Sequence, residues 1–223
     1  MKDLIERAFS TYNPNIRVSE DVKDSDFGLT DTKSCNDCWN NTRYFAESCD
    51  DKTVLNIHNT EKVRVICLEK VFQDCTNTEA AVGGCCDYLL YSNHKIAVTD
   101  LTCSRPEFIT QGTKGGKRAT AYQQMSDSIE KLQKFDSIAD RINQMDSKVA
   151  IFAIRKKIFA VEGNEDSPQR SMKAFLQMNI NPAIDMGNGF HFITQEYPQT
   201  ALRARSRHEK IISLHVVFES RHT

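Results

Sequence analysis

Two aspartates with twelve residues between them, Asp87 and Asp100, lie in the stretch GGCCDYLLYSNHKIAVTDLTCS. The runs CCDYLLYS and KIAVTDLTCS flank Ser92-Asn93-His94, good chemistry for a hairpin turn, so two strands would fold back on each other. Side chains alternate faces along a strand, so Asp100 and Thr102 point one way while Leu101 and Cys103 point the other, and Asp87 comes to lie across from Asp100. Two carboxylates side by side are what a Mg²⁺ or Mn²⁺ site for phosphodiester chemistry needs. Glu69, near the end of an earlier apolar run, is a candidate third metal ligand.

The elements that must position these groups are legible in outline. Leu4, Ile5, Ala8 and Phe9 predict a short helix that the Asn13-Pro14-Asn15 turn ends. Residues Val54–Ile57 and Val63–Phe72 are rich in β-branched side chains and predict strands, the second carrying Glu69. Past the hairpin, ITQGTKGGKR is a glycine- and cation-rich loop, a weak signal for phosphate approach. It feeds a helix in which Tyr122, Met125, Ile129, Leu132 and Phe135 recur every three or four residues. Ile138–Met145 predicts a turn or short helix, and Lys148–Ile154 a strand buried on both faces. A strand–strand–helix–strand order implies an α/β core whose last strand runs parallel to an earlier one. Further on, the sequence predicts a helix from Ser167 to about Met178, a strand Phe190–Thr194 after Gly187-Asn188-Gly189, and a strand Ile211–Phe218.

Composition bounds the partners. The 223 residues are ample for a hydrophobic core, and no apolar run approaches a membrane span. The net charge of −1 hides an asymmetry: residues 1–51 hold 6 Lys/Arg against 11 Asp/Glu, leaving 23 against 19 in the rest. Cations gather at 114–118, 155–157 and 203–210, which raises the expectation of a polyanion partner. Eight cysteines with no export signal predict reduced thiols and a cytoplasmic location. Cys35, Cys38 and Cys49 offer one Cys-x-x-Cys pair and a third cysteine. The second pair of a structural zinc site is missing, so buried free thiols beside Trp39, Tyr44 and Phe45 are preferred to Zn²⁺.

The strand VRVICLEKVF, the Asp-bearing strand CCDYLLYS, the strand KIAVTDLTCS, the helix and the last strand together resemble the core of the PD-(D/E)XK nuclease superfamily, the restriction-endonuclease-like fold. The resemblance covers about 90 residues, Val63 to Ile154. Related sequences follow the acid-x-Lys strand with a helix of the form A-x-x-Q-L-x-x-T-I-x-x-L, and this chain places Ala121, Gln124, Met125, Ser128, Ile129 and Leu132 at those positions. The resemblance implies a mixed central sheet flanked by helices, with Asp87 as the motif aspartate and Asp100 as the acid of the acid-x-Lys motif. The length allows one domain over residues 1–223, with a nuclease-like core expected at 54–160. An acidic, cysteine-containing N-terminal extension would occupy 1–53 and a C-terminal appendage 161–223.

The sequence departs from the pattern where it matters most. Asp100 is shorter than the usual glutamate, and Thr102 stands where the motif lysine belongs. A hydroxyl neither positions water nor stabilises phosphorane charge as an ammonium does. Lys95 is on the wrong face of its strand, whereas Lys117 at the helix start is a better substitute. The departures favour a degenerate member of the superfamily, a nucleic-acid-binding or assembly subunit of a bacterial system such as defence against mobile DNA, with DNA, RNA or protein subunits as partners. The alternative is an active Mg²⁺- or Mn²⁺-dependent nuclease with Asp87, Asp100 and Glu69 on the metal and Lys117 and Gln124 on phosphate or water. A further alternative is a non-nuclease α/β binding domain with a cysteine-bound zinc.

Overall fold

The computed structural model describes residues 1–24, 27–30, 45–46, 53–59, 61–75, 78, 82–104, 109, 116–156, 183–196 and 216–218. Among them, alternating and 3.6-periodic apolar patterns resolve into two sheets and four helices. A seven-stranded sheet has the order β1 (Glu20–Lys23), β5 (Val63–Cys67), β6 (Tyr88–Tyr91), β7 (Lys95–Ser104), β8 (Ser147–Lys156), β10 (Phe190–Glu196), β9 (Ile184–Gly187). Strands β1, β5, β6 and β7 pair antiparallel, while β8 is parallel to both β7 and β10. A smaller sheet pairs β11 (Val216–Phe218), β4 (Thr53–Asn59), β2 (Phe27–Thr30) and β3 (Phe45–Ala46) in that order. Strands from both ends of the chain therefore complete the sheets.

The fold is α/β with a mixed central sheet, and alternation along its strands sorts the layers. Ile96 and Val98 of β7, Leu89 and Tyr91 of β6, and Ala150, Phe152 and Ile154 of β8 face the helices α1 (Lys2–Phe9), α2 (Leu68–Gln73), α3 (Gly116–Gln133) and α4 (Asp136–Asn143). Phe9 of α1 anchors this layer, with ring centroids 5.6 Å from Phe72 and 5.2 Å from Phe135. On the other face, Val63, Val65, Tyr88, Leu90, Ala97, Leu101, Ile151 and Ala153 pack against Phe27, Leu29, Val54, Leu55 and Ile57 of the smaller sheet. Helices thus cover one face and a second sheet the other, and β8 is apolar from Val149 to Ile154 because both its faces are covered there. No helix among the described residues is long and apolar enough to cross a membrane.

One predicted element changes type. The run Val63–Phe72 is a strand only to Cys67, and Leu68–Gln73 is helix α2. Leu68, Val71 and Phe72 fall at helical spacing and are buried, and the backbone N–H groups of Leu68 and Glu69 both donate to the Asp87 carbonyl, at 2.9 and 3.3 Å. Glu69 therefore sits on a helix and not on a strand. The helix at 116–133, the hairpin and the strand at 147–156 occur where the sequence predicts them. The cysteines Cys35, Cys38 and Cys49, most of the glycine-rich loop, the helix predicted at 167–178 and the basic stretch 203–210 lie outside the described residues.

Candidate functional site

The hairpin fixes the two aspartates. Its turn is closed by the Ser92 N–H on the Lys95 carbonyl at 2.9 Å, with the Ser92 hydroxyl accepting from the N–H groups of His94 and Lys95. That closure sets Tyr88 opposite Thr99, so Asp87 comes opposite Asp100 one step further on. By parity both carboxylates, and Thr102 with them, lie on the helix-bearing face of the sheet. Asp87 and Asp100 are half-buried, and the Asp100 Oδ2 atom is shielded from solvent.

Asp87 is bonded through three of its atoms. Its N–H donates to the Thr99 carbonyl at 2.9 Å, its carbonyl accepts from the start of α2, and its Oδ2 accepts from the Leu101 N–H at 2.7 Å. The carboxylate stands in for a strand carbonyl where the β6–β7 ladder stops, which pins it beside the Asp100–Leu101 peptide. An acceptor that takes a backbone N–H in this way also keeps its negative charge well compensated.

Helix α3 holds the segment leading into Asp87. The Gly84 N–H donates to Asp127 Oδ2 at 2.8 Å, Lys131 Nζ donates to the Gly84 carbonyl at 3.0 Å, and the Cys86 N–H donates to Ser128 Oγ at 2.9 Å. Approach is so close that a methyl on Gly84 would lie 2.6 Å from Gln124 Cγ and 3.0 Å from Gln124 Cα. Gly83, at φ +84°, turns the chain into this groove. Gln124, a candidate for phosphate or water contact, is thus packed against Gly84. Asp127, Ser128 and Lys131 were not among the candidates. Their signal is a polar row on a helix beside a Gly-Gly pair whose N–H and C=O groups need partners.

The thiols report the local charge. Burial pushes the Cys67 thiol up to about 12, with a Lys70 backbone hydrogen bond opposing and the charges of Glu69 and Asp87 adding. Complete burial lifts Cys86 well above the ordinary thiol range, against the Ser128 hydrogen bond, and the charges of Asp100 and Asp87 add to it. Asp87 thus acts on both thiols, with Glu69 beside Cys67 and Asp100 beside Cys86. Among the described residues, no group of three His, Cys, Asp or Glu side chains that could hold a metal ion is found.

Lys117 completes the arrangement. It lies in the first turn of α3, and its Nζ is 3.0 Å from Thr102 Oγ1, in donating position. Thr102 itself is buried on β7, two residues from Asp100. A lysine ammonium is therefore delivered from the helix to the strand position that carries a hydroxyl. Compared with protein-family models, curated proteins and solved structures, the chain has no match.

Proposed function

We propose that this chain is a metal-dependent phosphodiesterase of the restriction-endonuclease-like kind, cleaving DNA or RNA, in which Lys117 replaces the lysine absent at position 102. The observation that carries this reading is the 3.0 Å hydrogen bond from Lys117 Nζ to Thr102 Oγ1. It answers the main objection that the sequence raises, the loss of a cation beside the acid of β7. The strand order β5-β6-β7-β8, with α3 crossing from β7 to a parallel β8, supports the same reading.

Asp87 and Asp100 would hold Mg²⁺ or Mn²⁺. Carboxylate oxygens are the hard ligands such ions take, and Mg²⁺ is commonly held by one or two carboxylates together with waters and substrate phosphates. When bound, the ion supplies Lewis-acid polarisation of the phosphodiester. The rest is done by the chain: Asp87 is oriented by the Leu101 N–H, and Thr102 fixes the Lys117 ammonium where negative charge develops.

A second reading is favoured by the structural use of Asp87, whose side-chain acceptor serves the Leu101 N–H even without catalysis. In it the chain is a degenerate subunit that binds nucleic acid or assembles with protein partners, as in bacterial defence against mobile DNA. Incubation of the full chain with plasmid, single-stranded DNA and RNA in Mn²⁺ decides between the two. The nuclease reading expects cleavage that falls about 10²–10³-fold in Lys117→Met. Part of that rate should return in the Lys117→Met, Thr102→Lys double variant, which moves the cation back onto the strand. A wild-type chain that leaves all three substrates intact selects the degenerate reading.

A further inference from the structure

Arg118 follows Lys117 in the first turn of α3, yet the two side chains reach different strands. Lys117 goes to Thr102 on β7, whereas Arg118 goes to β10, where its Nε donates to Thr194 Oγ1 at 3.0 Å. The guanidinium carbon stands 5.1 Å from the centroid of the Phe192 ring, which Tyr122 holds edge-on at 5.3 Å. Thr194 pairs with Phe152 of β8, and Phe152 pairs with Asp100 of β7. Asp100, Phe152 and Thr194 therefore form one row across three parallel strands. With neighbouring strands about 4.8 Å apart, Thr194 is roughly 10 Å from Asp100 along that row.

Among the described residues, these contacts use the Nε–H and one face of the guanidinium, and none engages its terminal amino groups. Among the described residues no carboxylate pairs with Arg118, and burial lowers its pKa with no acidic neighbour opposing. Its position on the helix makes this costlier, because the N-terminal turn carries the positive end of the helix dipole and α3 has no acidic residue there. Two consecutive cations at such a turn are a local conflict that an anionic ligand would relieve. Planar guanidinium groups fixed by a ring and a hydroxyl are well suited to bidentate recognition of phosphate.

We propose that Arg118 binds a phosphate adjacent to the scissile one, on a nucleic-acid strand that crosses the carboxyl-terminal halves of β7, β8 and β10 at the start of α3. This rests on the nuclease-like reading of the Asp87 and Asp100 site. Lys117 serves the reacting phosphate and Arg118 its neighbour, so the strand is gripped at two points set by one turn of helix.

Binding without divalent metal separates this inference from catalysis. Fluorescence anisotropy of the full chain is measured against a short labelled single-stranded DNA, its duplex and a single-stranded RNA of the same length over a series of salt concentrations. Arg118→Gln is expected to weaken binding and reduce the slope of log K against log[salt] by about 0.7 on the single strand or 0.9 on the duplex. Arg118→Lys keeps the charge and should restore most of that slope while losing the Thr194 bond. A wild-type slope in Arg118→Gln overturns the proposal, as does a wild-type chain that binds neither the DNAs nor the RNA. Equal loss of melting temperature in both variants with an unchanged slope also overturns it, since Arg118 would then be a packing residue. The nuclease reading fails separately: if the wild type cleaves nothing in Mn²⁺ but Arg118→Gln loses its slope, Arg118 is still a phosphate contact and only the chemistry is withdrawn.

Discussion

Asp87 is asked to do two things with one carboxylate, and the two can be separated. Its Oδ2 accepts the Leu101 N–H at 2.7 Å, an acceptor role that an amide oxygen can also fill. Asp87→Asn should therefore fold with nearly the wild-type melting temperature while losing cleavage, because an amide no longer offers the charged oxygen that a divalent cation needs. Asp87→Ala removes the acceptor and leaves a buried N–H unsatisfied, which costs about 1–3 kcal/mol. Urea denaturation of the two variants checks this, and equal destabilisation would mean that the hydrogen bond contributes nothing specific. The positions of these residues were largely legible from the chain. A three-residue polar turn fixes the register of a short hairpin, and register alone places Asp87 opposite Asp100 and Thr102 on the same face as Asp100. The hydrogen bonds made by Asp87 were not legible, because they depend on where the ladder stops.

At the level of elements, α3 acts as a clamp on residues 84–86 through Asp127, Ser128 and Lys131. The clamp needs the helix backbone to lie against Gly84, so Gly84→Ala forces Gln124 and its helix turn outward. Overpacking of this kind costs about 1–3 kcal/mol, measurable as a lower urea midpoint with an unchanged slope. Gly187, where an added methyl meets nothing within 4 Å, marks a contrasting site with open space but a left-handed backbone. The apolar stripe of α3 and the unbroken run of β8 made both elements readable. Helix α2 was not, because its six residues follow a strand without a break and Val71 continues the alternation by chance. The smaller sheet was legible only in part: β4 and β11 overlap predicted strands, whereas β2 and β3 do not. Its strand β2 has four residues, one of them Gly28, and pairs with residues far along the chain.

On the scale of the whole molecule, a central sheet covered on both faces buries chemistry as well as carbon. Cys67 and Cys86 lie inside it, and both thiols are shifted upward, Cys67 from 9.0 to about 12. A raised thiol pKa favours the folded state as long as both states are protonated, below about pH 9. Above that the unfolded chain releases protons which the folded chain keeps. Stability should then fall by about 1.4 kcal/mol per pH unit for each such thiol, up to about pH 12 for Cys67. Denaturant unfolding at pH 8 and pH 10 checks the sign, and Cys67→Ala should flatten part of the slope. A profile that is flat between those values would show that these thiols titrate alike in both states.

The side-chain bond of Asp87 also bears on descent. A lineage that abandoned cleavage would still need the side-chain acceptor that ends the β6–β7 ladder, so selection for folding alone would keep either Asp or Asn at that position. Lys117 is exposed, and among the described residues its side chain is tied only to the Thr102 hydroxyl. Drift would erase it first. In homologues of this chain, a cation at position 117 is therefore the better witness to retained activity, and an acceptor at position 87 testifies only to the fold.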